Sequence, residues 1–293
     1  MLSSKGITLI ESIIALTILI IVFTVSSSGI IGALKTQGLN EAATSSQAKL
    51  RRITEVFTQE LRGAVLGGLT NQPYNATSNS LSLILLDGGA GYEVQRDTTG
   101  DFASDNSLRI VAPVANASDL GLSNSQALMV SGGGQAVIFN VSDVQKVGGS
   151  SSNLYRVSHT DCTNKIAYQS NTLLFQVRTL GFEFDKNTGT LFQRENNKAP
   201  REMAFDLEKF GIRYVYQKND GSIRKESEPF VDKNGTPLRD TIQDGDELKL
   251  VRLQITLEDS QEKSGKALER SYSSQVELSR NTNFNIGTVV PCK

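Results

Sequence analysis

The sequence predicts an α+β protein in which one long N-terminal helix packs on an antiparallel β-sheet domain. Three observations predict this fold class. Residues 7–34 contain no charged side chain except Glu11, and residues 35–66 continue with apolar residues at helical spacing. Residues 67–293 contain short alternating apolar and polar runs between turn-forming residues. We therefore expect a helix with a membrane-spanning half and an amphipathic half, followed by a β-rich globular domain.

The composition gives no sign of a polyanion-binding protein. The chain has 293 residues with 30 basic and 31 acidic side chains, for a net charge of −1. A nucleic-acid contact would therefore have to be local. Tryptophan is absent and glycine is plentiful, which is typical of short strands joined by many turns.

Residues 7–34 are predicted to span a membrane. This segment of about 28 residues exceeds the roughly 20 that a helix needs to cross a bilayer. No small-x-small cleavage site follows it, so an ordinary cleaved signal peptide fits poorly. Lys5 before the span and Lys35 after it are compatible with a cytoplasmic N-terminus. The simplest interpretation is a signal anchor that holds an extracytoplasmic domain.

Glu11 is the unusual residue of this segment. An unpaired carboxylate in hydrocarbon costs several kcal/mol, so Glu11 is expected to have a specific partner. The alternative is that Glu11 caps the helix close to the cytoplasmic interface, since it lies only four residues inside the span.

The segment 35–66 is predicted to extend the same helix, giving one element of about 60 residues, roughly 90 Å long. Gly67 and Gly68 are expected to end it. Charged residues between the apolar positions indicate a solvent-exposed face: Glu41, Lys49, Arg51, Arg52, Glu55, Glu60 and Arg62. The apolar face is predicted to consist of Leu39, Ala43, Ser46, Leu50, Ile53, Phe57, Leu61 and Ala64.

Residues 67–293 are predicted to form the β-rich domain. Apolar and polar residues alternate in the segment 249–259. This alternation predicts that one face of the strand packs on the core, and that face carries Val251, Leu253, Ile255 and Leu257. Strands are predicted at 80–86, 107–114, 127–144 (split at its three glycines), 249–259 and 271–280, and hairpins at 182–195 and 212–226.

The two cysteines, Cys162 and Cys292, are separated by most of this domain. In an oxidising compartment they are expected to form a disulfide, whereas in a reducing compartment they would remain two buried thiols. Both alternatives are compatible with the sequence.

No catalytic or metal-binding motif is evident. His159 is the only histidine, and although Asp161 and Cys162 follow it, we expect a surface loop histidine rather than a nucleophile–base pair. Residues 97–106 place oxygen ligands at Asp97, Asp101, Asp105 and Asn106, but their spacing differs from an EF-hand and favours a solvated loop over a calcium site. No cofactor and no enzymatic activity are expected.

The N-terminus resembles the processing site of type IV prepilins and type II secretion pseudopilins. In that family a short basic leader ends in Gly, followed by an apolar residue, Ser or Thr, Leu, another apolar residue and Glu. Gly6, Ile7, Thr8, Leu9, Ile10 and Glu11 fill these places in order. The resemblance covers about the first 65 residues, and residues 1–6 would be the leader peptide.

The resemblance implies how these residues act. A membrane-embedded prepilin peptidase would cut between Gly6 and Ile7 and methylate the new amino group of Ile7. Glu11 would then pair with the positive α-amine of Ile7 on a neighbouring subunit. Two departures stand out. The mature chain would begin with Ile rather than the common Phe, and Ser26 to Gly29 replace the proline that many pilins carry in the helix.

The family implies a pilin-like fold and a structural role. The size and the late strand pair most resemble minor pilins of the PilW type or the J-type minor pseudopilin. The expected function is a minor pilin for assembly or priming of a type IV pilus that serves motility, adhesion or DNA uptake. The alternatives are a minor pseudopilin of a type II secretion system or, from another class, a signal-anchored extracytoplasmic enzyme or binding protein.

The resemblance also implies partners and location. The partners would be the prepilin peptidase, other major and minor pilins, and the inner membrane with its assembly platform. The chain would cross the inner membrane once with its domain in the periplasm, and then enter a pilus or reach the cell surface. Direct DNA binding is not expected, although basic residues cluster at Lys49, Arg51 and Arg52 and again at Arg213, Lys218, Arg224 and Lys225.

Overall fold

The computed structural model combines one long helix with a large, mostly antiparallel β-sheet region. It describes residues 9–70, 75–87, 91–95, 106–131, 135–149, 152–160, 171–196, 198–231, 240–263, 266–278 and 288–291. Helix α1 spans Leu9–Gly63 and a short 3-10 helix spans Ala117–Leu120. The strands are β1 (Ala64–Thr70), β2 (Ser80–Leu86), β3 (Tyr92–Gln95), β4 (Ser107–Val111), β5 (Gln126–Val130), β6 (Gln135–Val147), β7 (Leu154–His159), β8 (Leu173–Asp185), β9 (Thr190–Glu195), β10 (Arg201–Ala204), β11 (Lys209–Lys218), β12 (Ile223–Glu226), β13 (Asp240–Gln243), β14 (Asp246–Lys263), β15 (Lys266–Glu277) and β16 (Thr288–Pro291).

Helix α1 ends earlier than predicted. It stops at Gly63, and Gly67 and Gly68 lie inside β1 instead of terminating the helix. The reason is strand pairing: Ala64 already lies opposite Leu85 of β2. The register between β1 and β2 shifts after Ala64, and glycine suits such an irregularity because it has no side chain to accommodate.

The predicted strands and hairpins are largely confirmed. β2 coincides with the predicted segment 80–86, and the β8–β9 and β11–β12 hairpins form at the predicted turns. Gly189 and Gly221 in these turns have φ values of +65° and +84°, which glycine adopts without steric cost. The predicted strand 107–114 is shorter and ends at Val111.

Six strands form a closed antiparallel ring that the sequence did not predict. β3 pairs with β4, β4 with β7, β7 with β6, β6 with β5, β5 with β8, and β8 again with β3. The ring encloses one core cluster, which includes Ile110, Met129, Phe139, Tyr155 and Leu174. Closure leaves fewer unpaired strand edges and gives this part of the chain a core of its own.

The rest of the domain is built from two sheets that share a core with α1. The second half of β8 pairs with β2 and β9, and β1 and β10 extend this sheet. The second sheet has the order β12–β11–β14, with β13 and β15 also paired to β14. Of the four β14 residues predicted to face the core, Leu253, Ile255 and Leu257 are buried, whereas Val251 is only half-buried. The three buried residues belong to the core cluster that also includes Leu50 and Phe57 of α1.

Two tyrosines of β11 are fully buried in this core. Burial raises the pKa of Tyr216 to about 12 and raises the pKa of Tyr214 further still. Burial therefore favours the neutral form of both phenols. Tyr214 donates a hydrogen bond to the Thr77 carbonyl at 3.1 Å, and Tyr216 accepts one from the Phe230 amide at 3.0 Å.

Candidate functional site: the N-terminal helix

The first half of α1 presents an apolar surface all around the helix. Its large apolar side chains from Leu9 to Leu34 are between 54% and 78% exposed. These 26 residues extend about 39 Å, more than the roughly 30 Å hydrocarbon core of a bilayer. Among the residues that the structure describes, α1 is the one helix long and apolar enough to span a membrane.

Three hydroxyl groups within this half form hydrogen bonds inside the helix. Thr17 donates to the Ile13 carbonyl and Thr24 to the Ile20 carbonyl, each at 2.8 Å. Ser28 donates to the Val25 carbonyl at 2.8 Å. Such bonds allow a hydroxyl to face lipid without an unmet donor. α1 continues unbroken through Ser26 to Gly29.

Glu11 lies on the exposed surface of the apolar half of α1. In the sequence it is the only charged residue between Leu9 and Leu34. Its position on a helix whose neighbouring apolar side chains face outward makes the carboxylate accessible to a second molecule packed along the helix.

The second half of α1 becomes part of the domain core. Phe57 is fully buried, with its ring centroid 4.1 Å from that of Phe182 and 5.4 Å from that of Phe210. The predicted apolar face is confirmed at Ser46, Leu50, Ile53, Phe57 and Leu61, while Ala42 takes the buried place expected for Ala43.

Two charged residues predicted to face solvent instead attach α1 to the sheets. Lys49 Nζ lies 2.7 Å from Asp259 Oδ1, and the Asp259 side chain is completely buried. Lys49 also donates to the carbonyls of Phe205 and Asp206 at 3.2 and 3.3 Å. Near the end of the helix, Glu60 Oε2 lies 3.2 Å from Arg178 Nη2 of β8. These contacts fix the position of the helix relative to the sheets.

The Lys49–Asp259 pair was not predicted from the sequence. A signal was present, because Asp259 follows the alternating Leu253, Ile255 and Leu257 at the next inward-facing position of the strand. An acidic residue at an inward position requires a cationic or hydrogen-bonding partner. The sequence alone does not identify Lys49, which lies 210 residues away.

Where its two halves meet, α1 has a shallow, solvent-exposed depression lined by small and polar residues. Gln37 Nε2 donates to Glu41 Oε1 at 3.0 Å within this stretch. The residues that line this shallow depression all belong to α1: Ala33, Thr36, Gln37, Asn40, Glu41, Thr44, Ser45 and Ala48. Small side chains allow a neighbouring backbone to approach closely.

His159 is not in a surface loop, and that prediction was wrong. It is the last residue of β7 and only 5% exposed, because β7 pairs with both β4 and β6 at this point. Its ring centroid lies 5.3 Å from that of Phe139, and Nδ1 lies 3.0 Å from the Thr160 carbonyl. The burial follows from its place at an inward-facing strand position.

The predicted processing site and the cysteines fall outside the described residues. Gly6 and Ile7 precede Leu9, and Cys162 and Cys292 follow the last described residues of their segments. Cleavage and methylation, and the redox state of the cysteines, therefore stay predictions.

The alternative of a calcium site in residues 97–106 also stays untested, because Asp97, Asp101 and Asp105 fall outside the described residues. Within the described ranges, no group of three or more His, Cys, Asp or Glu side chains is arranged to bind a metal ion.

Two of the four residues of the second basic cluster, Lys218 and Arg224, are paired with acidic neighbours. Lys218 Nζ lies 2.5 Å from Asp246 Oδ2, and Arg224 contacts both Glu226 and Asp244. Such pairing lowers the local positive potential that a phosphate backbone would require.

The comparisons with known proteins add no relationship to these observations. No protein-family model, no curated protein and no solved structure matches the chain.

Proposed function

We propose that the protein is a structural subunit of the pilin and pseudopilin class, processed at Gly6–Ile7 and incorporated into a filament through its N-terminal helix. The observation that carries this proposal is the combination of the six-residue motif 6–11 with α1. The helix offers about 39 Å of exposed apolar surface at one end and is built into a folded domain at the other.

The division of α1 into an exposed apolar half and a half packed in the domain supports the proposal that the subunit moves from the lipid bilayer into an assembly. A surface that is apolar on all sides is stable in a bilayer or in a bundle of similar helices, but not in water. The ion pairs of Lys49 and Glu60 attach the domain to the helix. Packing of neighbouring helices would therefore also arrange the domains.

Glu11 gives this assembly its register. Once Gly6 is removed, the α-amine of Ile7 becomes available on each subunit. In a low-dielectric bundle, the Glu11 carboxylate of one subunit and the Ile7 amine of another attract strongly, and misalignment leaves both charges without compensation. The favoured position of the incoming subunit is the one at which they meet.

Two narrower functions share these features. We favour a minor pilin that takes part in assembly or priming of a type IV pilus, because the globular region is large for a repeating shaft subunit. A minor pseudopilin of a type II secretion system is the alternative, and the genes adjacent to this one distinguish the two. A signal-anchored enzyme or binding protein is the rival from another class, and it predicts that Gly6 is dispensable.

Replacing Glu11 with Ala tests the proposed role of the carboxylate. The variant should be processed normally but incorporated into filaments about tenfold less or worse, because the Ile7 amine of a neighbour loses its partner. Incorporation is measured as the fraction of the protein that sediments with sheared filaments relative to the membrane fraction.

Thr17→Ala is the matched control, since Thr17 lies on the same exposed half of α1 and its hydroxyl bonds only within the helix. This control should assemble as the unmodified chain does. Normal assembly of the Glu11→Ala variant would show that the charge pair is unnecessary.

A further inference from the structure

A polar pocket lies where the six-stranded ring meets the end of β9. Its volume is about 560 Å³, which falls inside the roughly 300–1,000 Å³ range of small-ligand pockets. The residues that line it lie at the start of β5, in the middle of β6 and just after β7 and β9. With one exception, a valine, their side chains carry an amide, a hydroxyl or an ammonium group.

Strand register brings the amide side chains of this pocket together. Gln126 of β5 lies opposite Asn140 of β6 on one side and opposite Val177 of β8 on the other. Asn196 directly follows β9, and its backbone amide donates to the Thr179 carbonyl of β8 at 2.7 Å. Thr179 is two residues beyond Val177, so β8 forms the common support of Gln126 and Asn196.

Thr179 fixes how these two amides are turned. It is only 3% exposed. Its backbone N–H donates to Asn196 Oδ1 at 2.8 Å, and its hydroxyl donates to Gln126 Oε1 at 2.8 Å. A backbone N–H can only donate, so Asn196 must present its oxygen to Thr179. The NH2 groups of both side chains are therefore the ends left for a ligand, and they are held in place before it binds.

The remaining polar groups favour an uncharged ligand. Lys198 is the one charged residue among the described residues that line the pocket, and its Nζ lies 3.3 Å from Glu195 Oε2, which compensates its charge. Asn140 and Ser142 are exposed at the pocket wall. Their amide and hydroxyl groups can each donate and accept hydrogen bonds. A ligand that matches this lining must carry several neutral groups that also do both.

We propose that this pocket binds a neutral saccharide. Gln126 and Asn196 donate to oxygen atoms of the sugar, and Asn140 and Ser142 exchange hydrogen bonds with its hydroxyl groups. Sugar hydroxyls fit this chemistry because each one both donates and accepts. The site does not rest on the proposed filament function, since every residue that lines it belongs to the β-rich domain.

The test uses the purified full-length chain in a zwitterionic detergent, because a glycoside detergent would compete for the site. Saturation-transfer NMR is recorded with glucose, galactose, mannose, N-acetylglucosamine and N-acetylgalactosamine. At least one of these sugars should bind, with a Kd of about 1 mM or lower on titration. Glucuronate, an anion of similar size, should bind no better than glucose.

Two variants locate the site. Gln126→Met keeps the length of the side chain but removes its NH2 donors, and the Thr179 hydroxyl still has Asn196 Oδ1 at 3.4 Å as an acceptor. This variant should raise the Kd about fivefold or more. Gln145→Met is the matched control, because Gln145 is an exposed glutamine of β6 whose side chain bonds to Asp143. It should leave the Kd unchanged.

Asn140→Ala keeps the test decisive if Gln126→Met fails to fold, since it shortens an exposed side chain and retains the backbone carbonyl that accepts from Thr160. It should raise the Kd about threefold or more. Circular dichroism confirms that each variant is folded. The proposal would be overturned if none of the five neutral sugars bound, if glucuronate bound better than glucose, or if Asn140→Ala bound as tightly as Gln145→Met.

Discussion

Replacing Phe57 with Ala should lower the free energy of unfolding by about 3–5 kcal/mol. Phe57 is fully buried between Phe182 of one sheet and Phe210 of the other. Removing the ring leaves a cavity at the point where the helix and both sheets meet, and the paired strands around it cannot collapse to fill the space. Denaturant unfolding of the full-length chain in detergent, followed by circular dichroism, measures the change.

Phe23 provides the matched control, because it is a second phenylalanine on the same helix and is 73% exposed. Phe23→Ala should change the stability of the domain by less than about 0.5 kcal/mol. If Phe57→Ala cost less than about 1 kcal/mol, the second half of α1 could not be an integral part of the domain core.

Replacing Lys49 with Met should destabilise the protein by about 3 kcal/mol, although the new side chain is similar in length and more apolar. The change leaves the Asp259 carboxylate buried without its cation, and Asp259 Oδ2 already has no hydrogen-bond partner. An uncompensated buried charge costs more than the intact pair contributes. The same unfolding measurement reports the loss.

Two further variants isolate the cause. Lys209→Met removes the partner of Glu258, the adjacent residue of β14, but Lys209 is 58% exposed, so the loss should stay within about 1 kcal/mol. The double variant Lys49→Met/Asp259→Leu should recover most of the stability, since an apolar pair can replace a buried ion pair. Equal losses in Lys49→Met and Lys209→Met would contradict the account.

The elements that could be predicted from the sequence are those determined by residues close together in the chain. The apolar spacing of Leu50, Ile53, Phe57 and Leu61 predicted the buried face of α1, and alternation in β14 predicted which of its side chains enter the core. Turn glycines such as Gly221 located the hairpins. In each case a few neighbouring residues determine the outcome through a fixed period or a required backbone conformation.

The features that the sequence did not reveal depend on residues far apart in the chain. Closure of the six-stranded ring depends on β8 pairing with both β3 and β5, and no local pattern specifies either pairing. Lys49 resembled an ordinary exposed lysine because its partner is distant in sequence. Gly67 and Gly68 suggested a helix end, but pairing of Ala64 with β2 ended the helix earlier.

For the candidate site, the residue types could be predicted but their mutual arrangement could not. Glu11 was identified from its charge within an apolar segment, and the structure adds that it lies on the exposed surface of a continuous helix. The partner proposed for Glu11 belongs to another subunit and arises only after cleavage. On this proposal, the completed pair forms only between two subunits.

The mass of the mature N-terminus tests the central claim most directly. In cells with an active prepilin peptidase, mass spectrometry of the membrane or filament fraction should find a chain that begins at Ile7 and carries one added methyl group on its amino nitrogen. Gly6→Val should abolish this processing, because a side chain at the leaving position obstructs the close approach that glycine allows. Recovery of the unmodified chain with Met1 still attached, in the same cells, would contradict the account.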